Sequence, residues 1–505
     1  MGTKKLNICF TSDIHGYIYS TDYRSREEKN LGLFKCANRF EKDGNTLVID
    51  GGDALQGSPF GAFCHDVLGR ADTLADIMNR CGYDYVTLGN HDFNFGTDYL
   101  YSYLHALRAP CVCENVRGED GEPLFPARVH VLENGLRVGI AGIVTDYVNI
   151  WERPEHIAGI SVTDPFEAAR AALDKLRGRA DVTICVYHGG FEQDLATGRT
   201  LTASTENIAC RLCRELDFDI LLTGHQHMSV PGRMLHGTFV VQPADNGKEF
   251  VNIIVEAAPD GKKTFSSRTL PAGGECDRAL LEEFAPAERG AQSWLDEVAG
   301  HLEQPLLPGR PIEMASRGSK LAQLFNAVQL WASRAQLSAT SLANELSGLP
   351  QTVRRRDLLT AYPYANTLTV LEITGAVLRR AMERSAAYFA YGPEGELCTS
   401  DDFLHPKVEH YNYDYYAGVE YAFDVSKPVG SRVVKLNYKG APVRDEDRFS
   451  ICLNSYRASG TGGYECYLGC PVEREINMEM SDLLLEYFKQ HGDDIILPPS
   501  GFSVK

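Results

Sequence analysis

Short apolar runs recur through the first half of the chain, and stretches with helical spacing separate them. Seven of these runs predict β-strands, at residues 6–11, 46–50, 85–88, 137–143, 182–187, 220–223 and 239–242. Most of them are apolar throughout, which is typical of strands buried on both faces of a sheet. Their alternation with helices indicates β-α-β units and predicts an α/β domain in this half of the chain.

The pattern changes near residue 273. A charged stretch with apolar residues at helical spacing predicts a linking helix over 273–304, and prolines and a glycine within 305–311 mark a boundary. An amphipathic helix then follows at 321–331, with strand-like runs at 367–373, 419–424, 433–438 and 449–454. Because hydrophobic cores rarely grow beyond about 250–300 residues, we expect two domains, at 1–272 and 305–505, joined by that helix.

Charge and cysteine content narrow the class of protein. The 505-residue chain has a formal net charge of −18, and a surface this acidic repels nucleic-acid polymers. A small anionic ligand is compatible with it, because bound divalent cations reverse the local field. Fourteen cysteines fit a reducing compartment better than an oxidising one. The sequence shows no signal peptide and no apolar run of about 20 residues. We therefore expect a cytoplasmic protein without a membrane partner. A secreted or cell-wall location is the alternative if a signal peptide precedes this sequence, and the oligomeric state stays open.

Polar residues able to bind metals follow several of the predicted strands. Five short segments carry them: Asp13-Ile-His15, Gly52-Asp53, Gly89-Asn90-His91-Asp92, His188-Gly-Gly190 and Gly224-His225-Gln226-His227. Because ligands of an open α/β sheet gather at the carboxyl ends of its strands, we expect these side chains to converge. Carboxylate and imidazole groups suit Zn, Mn, Co or Fe ions. Two such ions about 3.5–4 Å apart can clamp both oxygens of a phosphoryl displacement.

In this order the segments resemble the calcineurin-like metallophosphoesterase superfamily. The resemblance implies a β-sandwich with flanking helices that holds two divalent metal ions. It implies one ion bound by Asp13, His15, Asp53 and His227, and a second bound by Asp53, Asn90, His188 and His225, so that Asp53 bridges them. It also implies that His91 is not a ligand but contacts the scissile phosphate, where it stabilises the transition state or protonates the leaving oxygen.

Further motifs are similar to those of the 5′-nucleotidase / 2′,3′-cyclic-nucleotide phosphodiesterase family, over nearly the whole chain. They are Gly52-Asp53-Ala-Leu-Gln-Gly57-Ser58-Pro59 and Tyr362-Pro-Tyr-Ala-Asn366-Thr. In that family an α+β second domain clamps the base of a nucleotide between two aromatic rings. The resemblance places these rings on Tyr364 and Tyr456, and a base stacked on a ring gains about 1–3 kcal/mol. Asn366 and the glycine-rich loop with Gly462 and Gly463 complete the predicted nucleotide site.

Two details favour the cyclic-phosphodiesterase/3′-nucleotidase branch of this family. Asn94 stands where 5′-nucleotidases usually carry an acid that orients the catalytic histidine, and we expect it to orient His91. The segment Ala343-Asn-Glu-Leu346 stands where their Gly-Gly-Ile-Arg would lie. An amide orients an imidazole but does not stabilise its cation as a carboxylate does, so Asp92 is the alternative partner of His91.

The resemblance therefore implies a hydrolase of nucleotide catabolism, a 2′,3′-cyclic-nucleotide 2′-phosphodiesterase/3′-nucleotidase. A 5′-nucleotidase or UDP-sugar hydrolase on the same scaffold is the nearest alternative. A non-catalytic nucleotide-binding module is a further alternative, against which the complete set of predicted ligands argues. The base preference and the native metal stay open.

Overall fold

The computed structural model describes residues 2–200, 205–344, 346–362, 364, 366–405, 408–497 and 501–505. The chain forms two compact units, Met1–Ser293 and Trp294–Lys505. Their division lies inside the helix Arg278–Leu295, between the two boundaries expected from the sequence at 272 and 305. The segment 273–304, expected to be one helix, holds that helix and then the strand Val298–His301.

The first unit contains fourteen strands and eight helices in the residues described. The strands are β1 (Lys4–Thr11), β2 (Thr46–Asp50), β3 (Tyr85–Val86), β4 (Cys113–Arg117), β5 (Pro123–Phe125), β6 (Arg128–Val131), β7 (Arg137–Val144), β8 (Ser161–Val162), β9 (Val182–His188), β10 (Ile220–Thr223), β11 (Val230–Leu235), β12 (Thr238–Gln242), β13 (Glu249–Ala257) and β14 (Lys263–Pro271). The helices are α1 (Leu33–Ala37), α2 (Pro59–Phe63), α3 (Asp72–Cys81), α4 (Thr97–Ala106), α5 (Val148–Trp151), α6 (Pro165–Leu176), α7 (Ala209–Glu215) and α8 (Arg278–Leu295).

Two sheets dominate this unit. One has the strand order β14-β13-β1-β2-β3 and the other β11-β12-β10-β9-β7-β6. Strands β1, β2 and β3 run parallel to one another, as do β7, β9, β10 and β12. Strands β6, β11, β13 and β14 are antiparallel to their neighbours. A third, three-stranded sheet, β5-β4-β8, packs against β7, where the side chain of Asn115 bonds the backbone of Val144.

Apolar side chains from both large sheets form one core between them. Leu6, Ile8 and Phe10 of β1 belong to the same buried cluster as Ile184 and Val186 of β9. The outer faces of β7, β9 and β10 contribute to a second cluster with α6 and α7. Burial on both faces explains why these strands are apolar throughout. The unit is thus a β-sandwich with flanking helices, as the family resemblance implied.

The second unit contains thirteen strands and six helices in its described residues. The strands are β15 (Val298–His301), β16 (Leu337–Ser341), β17 (Thr352–Arg354), β18 (Leu368–Thr374), β19 (Phe389–Tyr391), β20 (Leu397–Thr399), β21 (Asp414–Ala417), β22 (Glu420–Phe423), β23 (Val433–Tyr438), β24 (Ala441–Pro442), β25 (Arg448–Asn454), β26 (Val472–Ile476) and β27 (Phe502–Val504). The helices are α9 (Pro311–Arg317), α10 (Lys320–Ser333), α11 (Arg355–Ala361), α12 (Gly375–Ala386), α13 (Ser455–Ala458) and α14 (Met480–His491).

A five-stranded sheet, β21-β16-β25-β18-β26, forms the centre of this unit, and a four-stranded sheet, β24-β23-β22-β27, accompanies it. Leu324, Phe325 and Val328 of the predicted helix, now α10, are buried in its core. Pro363 and Ala365 of the tyrosine motif, and Glu345 of the segment 343–346, lie outside the described residues. Among the described residues, no helix is both long and apolar enough to cross a membrane. All fourteen cysteines are free thiols, most of them buried.

Candidate functional site

The predicted metal-binding residues of the first unit lie where strands of both large sheets end. Asp13 and His15 follow β1, and Asp53 follows β2. Backbone hydrogen bonds join these two loops: the Asp13 N–H donates to Gly52 O at 2.9 Å, and the His15 N–H donates to Asp53 O at 2.7 Å. Asn90 comes after β3, His188 ends β9, and His225 and His227 follow β10.

Five of these seven residues have a left-handed backbone. The φ angles are 55° at Asp13, 52° at His15, 57° at Asp53, 72° at His225 and 53° at His227. Residues other than glycine rarely adopt this conformation, and each instance costs on the order of 1–3 kcal/mol. Such strain persists only where the surrounding structure enforces it, and it is common at functional sites.

Two overlapping groups of ligand atoms result. In the first, His227 Nε2 lies 3.4 Å from Asp13 Oδ1 and 3.0 Å from His15 Nε2. In the second, His188 Nε2 lies 3.1 Å from Asp53 Oδ2 and 4.0 Å from Asp13 Oδ1. Asp53 Oδ2 is also 3.9 Å from His15 Nε2, so this one oxygen is near both groups.

The chemistry of these atoms fits a cation. Four buried atoms make no hydrogen bond: Asp53 Oδ2, His188 Nε2 and both side-chain amide atoms of Asn90. Asp53 Oδ2 and His188 Nε2 lie 3.1 Å apart as an ion pair, without hydrogen-bond geometry. Buried polar atoms of this kind are costly unless an ion or water binds them. Nδ1 of His15 bonds Gln56 O at 2.8 Å, and Nδ1 of His188 bonds Gly51 O at 2.7 Å. These carbonyls select the tautomer that leaves each Nε2 lone pair available, as is usual for histidines that bind metals.

The two carboxylates govern the charge of the neighbouring imidazoles. Burial by itself would lower the pKa of His188, but Asp53 and Asp13 outweigh it and raise that pKa to about 10. Burial also opposes the rise at His227, whose hydrogen bond and attraction to Asp13 bring its pKa to about 9. Although burial would raise them, the pKa values of Asp13 and Asp53 are held below the usual range by these histidines. At His15 burial prevails and lowers the pKa.

The ring of His225 has a different partner from the other predicted ligands. Its Nε2 lies 2.7 Å from Glu206 Oε1, while its backbone N–H donates to Asp13 Oδ1 at 2.9 Å. The indole of Trp151 stacks on the imidazole, with ring centroids 5.6 Å apart and planes 26° apart. Sequence reasoning missed both Glu206 and Trp151, because each lies outside the strand-end segments and in no motif.

His91 contacts the centre through its backbone and bonds Asn94 through its ring. The His91 N–H donates to Asp53 Oδ1 at 2.7 Å, and His91 Nδ1 lies 2.7 Å from Asn94 Oδ1. The imidazole of His91 is 5.2 Å from that of His15, centroid to centroid. The structure therefore places Asn94 where the sequence expected an orienting partner for His91.

Asp92, the alternative partner of His91, bonds backbone N–H groups instead of the imidazole. Its carboxylate accepts backbone N–H groups of Gly89, Asp53, Ala54 and Leu55, at 2.8–3.1 Å. It thereby ties the loop after β3 to the loop after β2. The two loops approach so closely that a side chain at position 89 would overlap the Asp53 carboxylate, which only glycine avoids.

In the second unit a third tyrosine, Tyr411, lies close to both residues of the predicted clamp. The ring of Tyr411 lies 6.4 Å from that of Tyr364 and 6.4 Å from that of Tyr456, centroid to centroid. The planes meet at 66° and 72°, and Tyr456 is partly exposed to solvent. Sequence reasoning did not assign Tyr411 to the clamp. The Asn366 amide lies beside the Tyr362 hydroxyl, at 3.5 Å.

A buried arginine organises the glycine-rich loop beside these rings. Arg457 Nε lies 2.9 Å from Asp414 Oδ2, and Arg457 also donates to Thr461 O at 2.6 Å and to Tyr411 O at 3.0 Å. Gly462 and Gly463 follow with φ angles of 79° and 87°. The guanidinium thus links the loop to the backbone of Tyr411.

Known proteins resemble both units. The family sequence model of the calcineurin-like phosphoesterases matches residues 6–229. The family sequence model of the 5′-nucleotidase C-terminal domain matches residues 298–468. A solved structure from Staphylococcus aureus, described as a candidate 5′-nucleotidase in complex with α-ketoglutarate, is 32% identical. The match covers 99% of this chain and 100% of that chain, with a TM-score of 0.73. This chain belongs to the 5′-nucleotidase family of calcineurin-like phosphoesterases.

Two curated relatives carry more specific names. The trifunctional nucleotide phosphoesterase protein YfkN of Bacillus subtilis is 25% identical over 562 residues, covering 95% of this chain but 38% of YfkN. A 2′,3′-cyclic-nucleotide 2′-phosphodiesterase/3′-nucleotidase of Yersinia enterocolitica is 23% identical over 570 residues, covering 97% of this chain and 86% of that protein. This member of the 5′-nucleotidase family is a phosphoester hydrolase, and its family uses divalent metals and acts on nucleotides.

Proposed function

We propose that this 5′-nucleotidase family member hydrolyses 2′,3′-cyclic nucleotides and 3′-nucleotides at a two-metal centre. The observation that carries the choice of branch is the amide of Asn94 on His91 Nδ1, 2.7 Å away, where 5′-nucleotidases usually have an acid. The name of the Yersinia relative, which aligns with nearly the whole chain, supports the same choice.

Two sets of residues in the first unit would each hold one metal ion. Asp13, His15, Asp53 and His227 would hold one divalent cation, and Asp53, Asn90, His188 and His225 the other. When bound, the two ions supply the positive charge that activates water near neutral pH and neutralises the phosphate. Backbone carbonyls hold the rings of His15 and His188, and the backbone N–H of His91 holds Asp53 Oδ1, which leaves Oδ2 for the ions.

His91 is the group that acts on the phosphoester itself. Because Asn94 Oδ1 accepts from Nδ1–H, the ring presents Nε2 to a substrate, and the protonated imidazole donates its Nε2–H to a phosphoryl oxygen or to the leaving oxygen. Tyr364, Tyr411 and Tyr456 of the second unit would bind the base by stacking, which tolerates different bases. Gly462, Gly463 and Asn366 supply backbone and amide groups beside those rings.

A substrate panel tests this proposal. The protein is stripped of metal, refilled with Mn, Zn, Co or Mg in turn, and assayed with 2′,3′-cAMP, 3′-AMP, 5′-AMP and UDP-glucose at matched concentrations. We expect the first two substrates to have the highest kcat/KM. Preference for 5′-AMP or UDP-glucose would assign the protein to the other branch. A protein that purifies without metal, turns over nothing and binds nucleotides at submillimolar concentration would be a binding module.

Replacing His91 tests its role separately from the choice of substrate. His91→Ala should keep the metal content of the wild type and lower kcat by about 10²–10⁴-fold, the usual contribution of a general acid. Metal content is measured by elemental analysis of the same samples used for kinetics. Loss of metal in this variant would make His91 a ligand and refute the role given to it.

A further inference from the structure

A chain of polar side chains leads away from His91 towards the segment after α5. His91 Nδ1 is 2.7 Å from Asn94 Oδ1, and Asn94 Nδ2 donates to Glu152 Oε1. The second carboxylate oxygen, Glu152 Oε2, is 3.0 Å from His156 Nδ1. The side chain of Glu152 is only 5% exposed, although its chain neighbours Arg153, Pro154 and Glu155 are exposed. A carboxylate is thus buried two hydrogen bonds away from His91.

The direction of this chain follows from the donors and acceptors available. An ionised carboxylate only accepts hydrogen bonds, so Glu152 requires the NH₂ end of the Asn94 amide. The amide oxygen must then face His91, where it accepts from Nδ1–H. Without Glu152, the amide of Asn94 could turn over and present its NH₂ group to His91, which would select the opposite tautomer of the imidazole.

We propose that Glu152 is a positioning residue for His91, acting through Asn94. The inference rests on the proposed role of His91 in phosphoester hydrolysis. Glu152 supplies, one residue further out, the negative charge that an acid at position 94 would supply directly. Hydrogen bonds in such a chain polarise one another in a water-poor interior, so the buried carboxylate strengthens the bond between Asn94 and His91.

The local fold fits this role. Glu152 directly follows α5, and its N–H donates to Val148 O at 2.9 Å, which closes the last turn of that helix. Trp151, the last residue of α5, stacks on His225 across the site. His156 occupies the remaining oxygen of Glu152 and so prevents the carboxylate from rotating away from Asn94. One short helix therefore supports the residues around the centre from two directions.

Four variants and a matched control test this role. Glu152→Ala removes the acceptor, and Glu152→Gln keeps an acceptor without the charge. Asn94→Asp places two carboxylates against each other. The double variant Asn94→Asp/Glu152→Gln exchanges carboxylate and amide, so that the amide at position 152 donates to the carboxylate at position 94, which in turn accepts from His91. Glu155→Ala, which removes an exposed carboxylate from the same segment, is the control.

Kinetics on bis(p-nitrophenyl) phosphate, a substrate without a base, give the first readout. Glu152→Ala should lower kcat by about 10- to 100-fold at unchanged KM and metal content, the usual loss when a group that orients an active-site imidazole is removed. Glu152→Gln should recover part of that loss, and Glu155→Ala should match the wild type. The kcat of the double variant should be about tenfold higher than the value obtained by multiplying the effects of the two single variants, because the two residues are coupled neighbours.

The tautomer of His91 gives a second readout that needs neither metal nor turnover. In ¹⁵N spectra of metal-free protein, with the His91 signals assigned by their loss in His91→Ala, the neutral ring should carry its proton on Nδ1. Glu152→Ala should shift the proton towards Nε2. If Glu152→Ala matches Glu155→Ala in kcat and tautomer, the proposal is wrong. If Glu152→Ala loses metal and the double variant is equally inactive, Glu152 merely folds the loop, and the proposal fails as well. A wild type that hydrolyses no phosphoester would refute the proposed function, while the spectra would still decide whether Glu152 orients His91.

Discussion

Asp53 is the residue on which the proposed metal centre depends most. Its Oδ1 accepts the His91 N–H at 2.7 Å, and its Oδ2 lies 3.1 Å from His188 and 3.9 Å from His15. In the proposed centre this one carboxylate would serve both ions, so Asp53→Asn should cost both metal equivalents and nearly all activity. Elemental analysis and kinetics on the same sample check this, and an active variant with two metals would refute the ligand assignment.

Asp50 provides a control for that substitution. It is equally buried but bonds the Thr11 hydroxyl and the Gly52 N–H rather than the centre. Burial, together with the nearby Asp92 carboxylate, raises the pKa of Asp50 well above the usual range, so a neutral amide is a close substitute. Asp50→Asn should therefore retain the metal content and most of the activity of the wild type.

The histidines of the centre make metal uptake depend on pH. With pKa values of about 10 and about 9, His188 and His227 are protonated at neutral pH in the metal-free protein. A metal ion must displace those protons, so uptake at pH 7–8 should release about two protons per chain. Affinity should rise with pH and level off once the pH exceeds about 10. Calorimetry in buffers of different ionisation enthalpy measures the release, and uptake without it would contradict these protonation states.

At the scale of elements, the glycine-rich loop after α13 is constrained both by its backbone and by its neighbours. Gly462 has a φ of 79°, and a Cβ there would overlap the side chains of Asn412 and Arg457. Gly462→Ala should therefore displace the loop and raise KM for nucleotides by about tenfold, with a destabilisation of about 1–3 kcal/mol. Metal content should not change. KM and the midpoint of thermal unfolding are measured together.

Gly440 is the matched control for that change. It has almost the same φ, 81°, but a Cβ there meets nothing within 4 Å. Gly440→Ala should cost only the backbone strain and leave KM unchanged. Equal KM values for the two variants would show that the loop at 462 does not shape the nucleotide site.

At the scale of the whole molecule, the two units carry different parts of the proposed activity. Every predicted metal ligand lies in Met1–Ser293, which also has its own core, and every predicted clamp residue lies in Trp294–Lys505. A fragment of residues 1–293 should therefore bind the same number of metal ions and hydrolyse bis(p-nitrophenyl) phosphate. Its kcat/KM for nucleotides should fall by at least about tenfold, because stacking on the base contributes about 1–3 kcal/mol.

Two tyrosine variants of the full-length chain serve as the comparison for this fragment. Tyr364→Ala and Tyr456→Ala should reproduce the selective loss on nucleotides without affecting bis(p-nitrophenyl) phosphate. Undiminished nucleotide turnover by the fragment would show that the second unit does not bind the base.

Strong local patterns made most of the sandwich predictable from the sequence. All seven strands predicted for the first half are present, because strands buried on both faces must be apolar throughout. The antiparallel strands β6, β11, β13 and β14 were not predicted. Strand β14, for example, alternates between partly buried and exposed positions and includes the polar run Ser266-Ser-Arg268.

The candidate site, like the fold, was predictable from the sequence only in part. The sequence alone predicted the five segments whose polar residues the structure places at strand ends, and the pairing of His91 with Asn94, since these depend on short motifs and on a three-residue spacing. Glu206, Glu152 and Tyr411 became visible only in the tertiary structure. Each reaches its partner across a long separation in the chain: 19 residues to His225, 58 to Asn94 and 45 to Tyr456. Local propensity does not encode such contacts, because they are decided by how loops cross the ends of a packed sheet. The same packing turned Asp92 inward to the loop amides, where four hydrogen bonds at once satisfy its buried carboxylate.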